Sequence, residues 1–281
     1  MNALQYAENV TEVFVFPDAY LRVKQLLESE RADMDEVAEV IQLDPSLASK
    51  ILKLANSAIY NLPKKIDTIS KALVVLGGET IYNLVISSAV ISVTEQVQNP
   101  GIDMDRFWEQ SVHTALIARA LGNKVAPRQS EQLYVSGLLH NIGELALCQQ
   151  DPELAKACAG YSREEKPWQC QRRVLGFTYA ELSAALLRLW QLPPSIIEPI
   201  ALQHQPDKHL RQPAVLLLNI SSRLALSNVQ PDLYKQANLL DPFILEVLGI
   251  IQPDLRAALD FCNSEALYLL SVLNPKAGML Y

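Results

Sequence analysis

The sequence predicts an all-α protein, and three observations support that fold class. Apolar residues recur at helical spacing along the whole 281-residue chain, and no segment shows the sustained alternation of a β-strand. The chain has only 10 glycines, and aromatic residues make up 7% of it. Hydrophobic residues account for 49% and charged residues for 20%, which is enough apolar material for a globular core.

Composition also limits the classes of function. The net charge of −7 argues weakly against nucleic acid as the main ligand, because phosphate neutralisation needs clustered Lys and Arg. The four cysteines form no CxxC pair, which predicts reduced thiols. The first ten residues lack an export signal, and Gly77 and Gly78 interrupt the apolar stretch at 72–93. We therefore expect a cytoplasmic protein without a membrane span.

The first helices are predicted from their ends. Asp44 is placed to cap a helix whose first position is Pro45. A second helix begins near Thr68 and ends at Gly77, where a left-handed conformation is expected, and a third runs from about 79 to 93. The apolar face predicted for the helix after Asp44 consists of Leu47, Ile51, Leu54 and Ala58.

Periodicity is lost between residues 96 and 105, where Pro and Gly predict a boundary between two helical halves, 1–98 and 99–281. Further helices are predicted around DRFWEQSVHTALIARALG, SEQLYVSGLLHN and TYAELSAALLRLWQ, and beyond Pro193-Pro194. Trp108 and Trp190 are predicted to lie in the core. The segment 150–173 mixes both charge signs without clear caps, which predicts a loop or a partner contact.

Three of the four histidines lie in separate predicted helices, and one of them sits in the stretch GLLHNIGELAL at 137–147. Three imidazoles with an open fourth position form a ligand set that zinc accepts. Alternatively, each ring is packed at a helix end and satisfied by hydrogen bonds. The histidines concerned are His113, His140 and His204.

Several stretches in chain order resemble the HDOD domain: IQLDPSLASKILKLANSAIY, TISKALVVLGG, FWEQSVHTALIARAL, YVSGLLHNIGELAL and LRLWQLPPSIIEPIALQHQP. The resemblance covers residues 14 to 227, and the DPSLASKILKLANSAIY run is its most specific part. That family is similar to the HD and HD-GYP metal-dependent phosphohydrolases. The resemblance implies an HD-domain-like helical bundle with an additional N-terminal helical subdomain, the C-terminal helices being joined to the HD-like part.

The resemblance implies metal positions that are degenerate here. His113 matches the first histidine of the HD enzymes and His140 the histidine of the His-Asp doublet, whose aspartate is replaced by Asn141. The other departures are Gln203-His204 for a His-His pair, Tyr179 for a histidine, Ser222 for a late aspartate and Glu144 for a lysine. Because Mg²⁺ and Mn²⁺ prefer anionic oxygen ligands, we expect no metal cofactor at the vestigial positions His113, His140, Asn141 and His204.

The expected function is that of a non-catalytic bacterial signal-transduction module that binds a partner protein or a small ligand. Such domains occur beside receiver, GGDEF or EAL domains, so a partner of these kinds in trans is expected, and a membrane or nucleic acid is not. The alternative is a metal-dependent phosphohydrolase with a depleted ligand set, acting on nucleotides or cyclic dinucleotides. Lysines between residues 50 and 71 fit a site for an acidic partner or a nucleic acid, or alternatively a solvated face beside an αα-hairpin.

The small polar residues at the end of the DPSLASKILKLANSAIY run exceed what apolar packing requires. Asn56, Ser57 and Tyr60 are therefore candidates for contacts between the two halves or with a partner. The alternative is that they cap the helix before Leu62-Pro63.

Overall fold

The computed structural model describes residues 1–11, 14, 17–29, 33–95, 102–159 and 162–273. These residues form α-helices joined by short connections and 3₁₀ turns and contain no strand, which confirms the predicted all-α class. The helices are α1 (Ala3–Val10), α2 (Asp18–Glu28), α3 (Met34–Gln42), α4 (Pro45–Ala55), α5 (Ile69–Leu76), α6 (Gly78–Thr94), α7 (Met104–Val125), α8 (Ser130–Leu139), α9 (Ile142–Gln150), α10 (Pro152–Cys158), α11 (Pro167–Leu175), α12 (Tyr179–Leu189), α13 (Pro194–Leu202), α14 (Pro213–Val229), α15 (Gln236–Leu239), α16 (Pro242–Leu248) and α17 (Gln252–Leu273).

The chain divides into two compact units. The large unit comprises residues 1–14 and 97–266, and the small unit comprises residues 15–96 and 267–281. Helix α1 therefore belongs to the large unit, whereas the last turns of α17 belong to the small unit. The boundary predicted near residue 98 falls within 96–101, outside the residues that the structure describes.

In the small unit, α4 begins as its sequence predicts. Asp44 Oδ1 accepts a hydrogen bond from Leu47 N at 3.0 Å, and Pro45 occupies the first turn, where no N–H is needed. Three of the four predicted apolar positions are buried. The fourth, Ala58, is exposed because α4 ends at Ala55 and a 3₁₀ turn follows, so that prediction was wrong.

The junction of α5 and α6 lies at a single glycine. Gly77 has φ +82° and ψ 162°, so the predicted positive φ is present, but the left-handed helical conformation is not. An L-residue rarely adopts this combination, because its Cβ would clash with the backbone. Gly77 thus follows the last residue of α5 and precedes the first residue of α6.

The large unit is organised around α7, which packs against α8 and α14. A Cβ at Gly137 would lie 2.6 Å from Ala115 Cα, so only glycine allows α8 to approach α7 this closely. Trp108 and Trp190 are 2% and 6% exposed, which confirms their predicted core positions.

The segment predicted to be a loop, 150–173, contains two helices, so that prediction was wrong for most of its length. Asp151 caps α10 by accepting from Leu154 N at 3.1 Å, and α11 follows from Pro167. Asp151-Pro152 repeats the Asp-Pro helix start seen at residues 44–45. The prediction of a loop rested on the mixed charges of the segment and overlooked this signal. Residues 160–161 lie outside the described part of the chain.

Two expectations from composition concern membranes and thiols. In the part of the chain that the structure describes, no helix is long and apolar enough to cross a membrane. All four cysteines are free and buried.

Candidate functional site

A cavity of about 50 Å³ in the large unit contains two of the predicted histidines in its wall. Helix α11 adds Trp168 and Gln171 to the wall. None of the described residues that line the cavity is Asp or Glu. The other polar residues of the wall are Gln110, His140, Asn141, Gln203, His204 and Ser222.

The turn between α8 and α9 fixes one side of this cavity. A Cβ at Gly143 would lie 2.4 Å from Tyr179 O, so glycine is needed for α9 to approach α12. Ser183 Oγ accepts from Gly143 N at 2.8 Å, and its one hydrogen faces both Tyr179 O at 2.8 Å and His140 O at 3.1 Å. The HNIG stretch is therefore held against α12, which positions the side chains of His140 and Asn141.

Asn141 does not have the left-handed conformation that would end α8. Its φ of −117° and ψ of 11° are those of the residue that precedes α9. Its Nδ2 donates to Glu144 Oε2 at 2.5 Å, and Glu144 Oε1 accepts from Arg106 Nη2 at 3.0 Å. Burial raises the pKa of Glu144, while Arg106 opposes that rise. Glu144 thus anchors Asn141 to α7 through Arg106.

His140 is a buried, neutral imidazole. Burial lowers its pKa to about 4, although the hydrogen bond to Gly137 acts in the opposite direction. His140 Nδ1 lies 2.7 Å from Gly137 O, and a carbonyl oxygen can only accept. The proton is therefore on Nδ1, which leaves Nε2 as a hydrogen-bond acceptor or a ligand atom.

His204 forms part of an aromatic stack at the cavity wall. Its ring lies parallel to Trp168, with centroids 5.1 Å apart and an interplanar angle of 17°. Arg223 Cζ lies 4.8 Å from the centroid of the same Trp168 ring. Burial, followed by the positive charge of Arg223, holds the pKa of His204 well below its usual value. This imidazole is therefore also neutral near pH 7.

His113, the third predicted histidine, is not among the described residues of the cavity wall. Its Nδ1 lies 3.1 Å from Asn228 Nδ2. Gln110, one turn earlier on α7, lines the cavity instead, and its Nε2 donates to Ser222 O at 3.0 Å. Of these two residues of α7, the structure therefore places Gln110, and not His113, in the same cavity wall as His140 and His204.

Ser222 and Tyr179, the other two residues matched to metal ligands of the HD enzymes, lie in different places. Ser222, matched to the late aspartate, lines the cavity. Tyr179, matched to a histidine, is buried, and its backbone N donates to Gln171 Oε1 at 2.9 Å. Gln171 rather than Tyr179 lies in the cavity wall. Sequence reasoning missed Gln110, Trp168 and Gln171, because an amide or a ring in a polar segment gives no ligand signal.

The predicted contact residues of the small unit are hydrogen-bonded locally. Asn56 Nδ2 donates to Leu52 O and Ile66 O, and its Oδ1 accepts from Ile66 N, each at 2.7 Å. Ser57 Oγ donates to Leu54 O at 2.7 Å and is buried. Tyr60 ends the 3₁₀ turn. A contact between these residues and a partner stays a prediction.

The lysines of the small unit are partly paired. Lys50 Nζ lies 2.9 Å from Glu95 Oε2, and Lys71 Nζ lies 3.3 Å from Asp67 Oδ1. Lys53 contributes instead to the wall of a groove of about 530 Å³, which Asn56 also lines.

These helices and this cavity define the class of the protein. An HDOD domain profile matches residues 13–206, more than half of the chain. The chain therefore belongs to the HDOD domain family, as its motifs predict.

Two solved structures and one curated relative are similar to this chain. A proposed phosphohydrolase from Shewanella amazonensis SB2B is 25% identical, with a TM-score of 0.75 over 96% of this chain and 98% of that one. An HDOD domain protein of unknown function from Geobacter sulfurreducens is 20% identical, with a TM-score of 0.74 over 97% of each chain. An uncharacterized protein of Treponema pallidum (strain Nichols) is 26% identical over 208 residues. The match covers 72% of this chain but only 39% of that relative's length.

The residues present do not fit the divalent metal site of the HD phosphohydrolases. Mg²⁺ and Mn²⁺ are held by anionic oxygen atoms, whereas this wall offers amides, a hydroxyl and two neutral imidazoles. Among the described residues, no group of three or more His, Cys, Asp or Glu side chains could hold an ion.

Proposed function

We propose that this HDOD protein is a non-catalytic signal-transduction module that binds a partner protein or a small ligand. The observation that supports this proposal is the composition of the cavity wall. Gln110, Asn141 and Ser222 occupy positions in that wall at which an HD phosphohydrolase would be expected to have metal ligands. A metal-activated hydroxide needs an ion whose charge lowers the pKa of bound water. Without carboxylates, a wall of neutral groups has little affinity for such an ion.

The test is metal content and turnover measured on the same preparation. After dialysis against a divalent ion, we expect each chain to retain less than about 0.1 equivalents of Mg²⁺, Mn²⁺ or Fe. So low an occupancy is expected because the site lacks anionic ligands. With Mn²⁺ present, we expect no hydrolysis of cyclic dinucleotides or of a chromogenic phosphate ester above a His140→Ala control. Stoichiometric metal, or turnover that His140→Ala abolishes, would contradict the proposal.

A reconstructed variant serves as the positive control. Asn141→Asp alone restores one carboxylate and is expected to remain inactive, because a two-metal site needs its ligands together. Gln110→His, Asn141→Asp and Ser222→Asp combined restore one imidazole and two carboxylates to the same wall. We expect this triple variant to bind Mn²⁺ more tightly than the wild type, which would attribute the loss of metal to these three residues.

The second candidate is a phosphohydrolase with a depleted ligand set. It is favoured by the presence of His140 and His204 in one wall and by the name of the Shewanella relative. An imidazole-bound zinc ion would then replace Mg²⁺ or Mn²⁺. Zinc content measured on the same preparation distinguishes the two candidates: stoichiometric zinc, together with turnover that His140→Ala abolishes, would favour the second.

Partners in trans are proposed from the family resemblance: receiver, GGDEF or EAL domain proteins that this module would bind in the cytoplasm of a bacterium. Affinity capture from the native host followed by mass spectrometry would identify them. A small-ligand role and a partner role are compatible, because a ligand that binds one state of the module more tightly shifts its equilibrium.

A further inference from the structure

The amides in the cavity wall have orientations that their hydrogen bonds determine. Gln110 Nε2 donates to Ser222 O at 3.0 Å, and Gln203 Nε2 donates to Ile200 O at 3.3 Å. A backbone carbonyl can only accept, so the NH₂ group of each amide must face it. The Oε1 atoms of Gln110 and Gln203 are therefore acceptors. Both are buried and have no hydrogen-bond partner within the described part of the chain.

Other groups in the wall are acceptors for the same reason. His140 carries its proton on Nδ1, which leaves Nε2 with a lone pair. Asn141 uses its NH₂ group on Glu144, and Ser222 Oγ donates its hydrogen to Asn219 O at 3.1 Å. The donors in the wall are the NH₂ group of Gln171, whose Oε1 is used by Tyr179 N, and the one N–H of the neutral His204 ring. The cavity thus offers mainly hydrogen-bond acceptors.

The charges around the cavity limit the class of ligand further. No Asp or Glu is among the described residues of the wall, so a cation would find no counter-charge there. The positive charge of Arg223 lies over Trp168, next to His204, and it disfavours a cation still more. An anion such as phosphate has only acceptor oxygens when fully ionised, and these would meet the acceptors of the wall. A neutral ligand with several N–H donors avoids both penalties.

We infer that the cavity binds a small uncharged ligand through its N–H donors, a primary amide or a urea-type group. This inference rests on the proposed function and names the ligand class that the module would sense. A ligand whose N–H groups donate to Gln110 Oε1 and Gln203 Oε1 would satisfy two buried acceptors at once, in place of the hydrogen bonds that solvent would otherwise make to them. The volume of about 50 Å³ has room for a few water-sized groups, which suits a ligand of about four heavy atoms.

Three molecules of nearly identical shape test the inference. Acetamide is neutral and donates, acetate is anionic and only accepts, and acetamidinium is cationic and donates. We expect acetamide to bind with a dissociation constant of about 1–10 mM, the range open to a ligand of this size. Acetate and acetamidinium should bind at least tenfold more weakly. Two-bond ¹H–¹⁵N imidazole spectra of the full chain measure this, because acetamide should shift the Nε2 signal of His140.

Substitutions connect the binding to the cavity. Gln203→Leu and Gln110→Leu, on different helices, should each weaken acetamide binding at least tenfold, whereas Gln252→Leu at the start of α17 should leave it unchanged. Two substitutions are used because leucine at the fully buried Gln203 could impair folding. Equal binding of acetate or acetamidinium, no response to acetamide, or unchanged affinity in Gln110→Leu would each overturn the inference. Turnover or bound metal would contradict the proposed function instead, so the two failures are distinguishable.

Discussion

Asn56 shows how one side chain can close a gap in the backbone hydrogen bonding of a helix end. It bonds the carbonyl of Leu52 in α4 and both the N–H and the C=O of Ile66 in the loop that follows. An unpaired buried backbone group costs about 1–3 kcal/mol, so one amide that serves both the N–H and the C=O of Ile66 stabilises the loop more than its size suggests.

We expect Asn56→Ala to lower the free energy of unfolding of the small unit by about 2–4 kcal/mol, because Ile66 N and O lose their partner at once. Chemical denaturation followed by circular dichroism would measure it. Asn238→Ala, at an exposed asparagine, is the matched control and should change stability by less than about 0.5 kcal/mol. A loss for Asn56→Ala no larger than that of the control would exclude this role.

At the same scale, the sequence predicts helix ends better than site residues. Asp44 was identified because a cap is a local rule that involves four neighbouring residues. Gln110 was not, because its importance depends on which face of α7 meets α14, and that is decided by packing far along the chain. The metal position was assigned to His113 instead, because it is a histidine and lies only three residues from Gln110.

Among the elements, α7 and α9 are connected by a buried ion pair. Arg106 Nη2 lies 3.0 Å from Glu144 Oε1, and the Glu144 side chain is only 9% exposed. Removing one partner of such a pair leaves the other charge buried, which is more damaging than removing both.

We therefore expect Arg106→Met to destabilise the large unit by about 2–4 kcal/mol, and Arg106→Met/Glu144→Gln to recover at least half of that loss. The control is Arg173→Met, whose Arg173–Glu165 pair is more exposed and should contribute less than about 1 kcal/mol. Thermal and urea unfolding of the wild type, Arg106→Met, Glu144→Gln and the double variant would give the coupling energy. No recovery in the double variant would mean that the Arg106 stem, rather than its charge, holds the two helices together.

Helix α11 shows the limit of periodicity as a guide to elements. Its apolar positions are few, so the segment looks like a loop. The helix nevertheless forms, because Gln169 Oε1 accepts from Lys166 N at its start, Cys170 is buried and Trp168 is partly buried. The element that was least visible in the sequence supplies a tryptophan to the cavity wall. Tertiary packing decides such short helices, and one sequence does not show it.

On the scale of the whole molecule, three buried histidines make stability depend on pH. Burial lowers the pKa values of His113 and His140 to about 4 and that of His204 well below 6.5. Their folded-state pKa values lie below the unfolded value, so the unfolded chain binds protons that the folded chain does not. Stability is therefore complete above about pH 6.5 and declines as the pH falls toward 4.

At pH 5 His113 and His140 should each cost about 2 kcal/mol relative to pH 7, and His204 acts in the same direction. We expect the midpoint of thermal unfolding to fall steadily between pH 7 and pH 5.5, before the carboxylates with lowered pKa values, such as Asp67 and Asp254, begin to titrate. His113→Gln, outside the cavity wall, should remove about one third of the slope. A midpoint independent of pH over this interval would show that the three imidazoles are not buried in their neutral form.

The stack of Trp168 on His204 also gives the molecule an optical property. Trp108 and Trp190 are enclosed in the core, and the Trp190 indole N–H donates to Phe14 O, so the emission of both should be steady and blue-shifted. Trp168 alone lies in the cavity wall, in contact with an imidazole that quenches indole when it is protonated. Intrinsic fluorescence is therefore a label-free signal in which two tryptophans report folding and the third reports what enters the cavity.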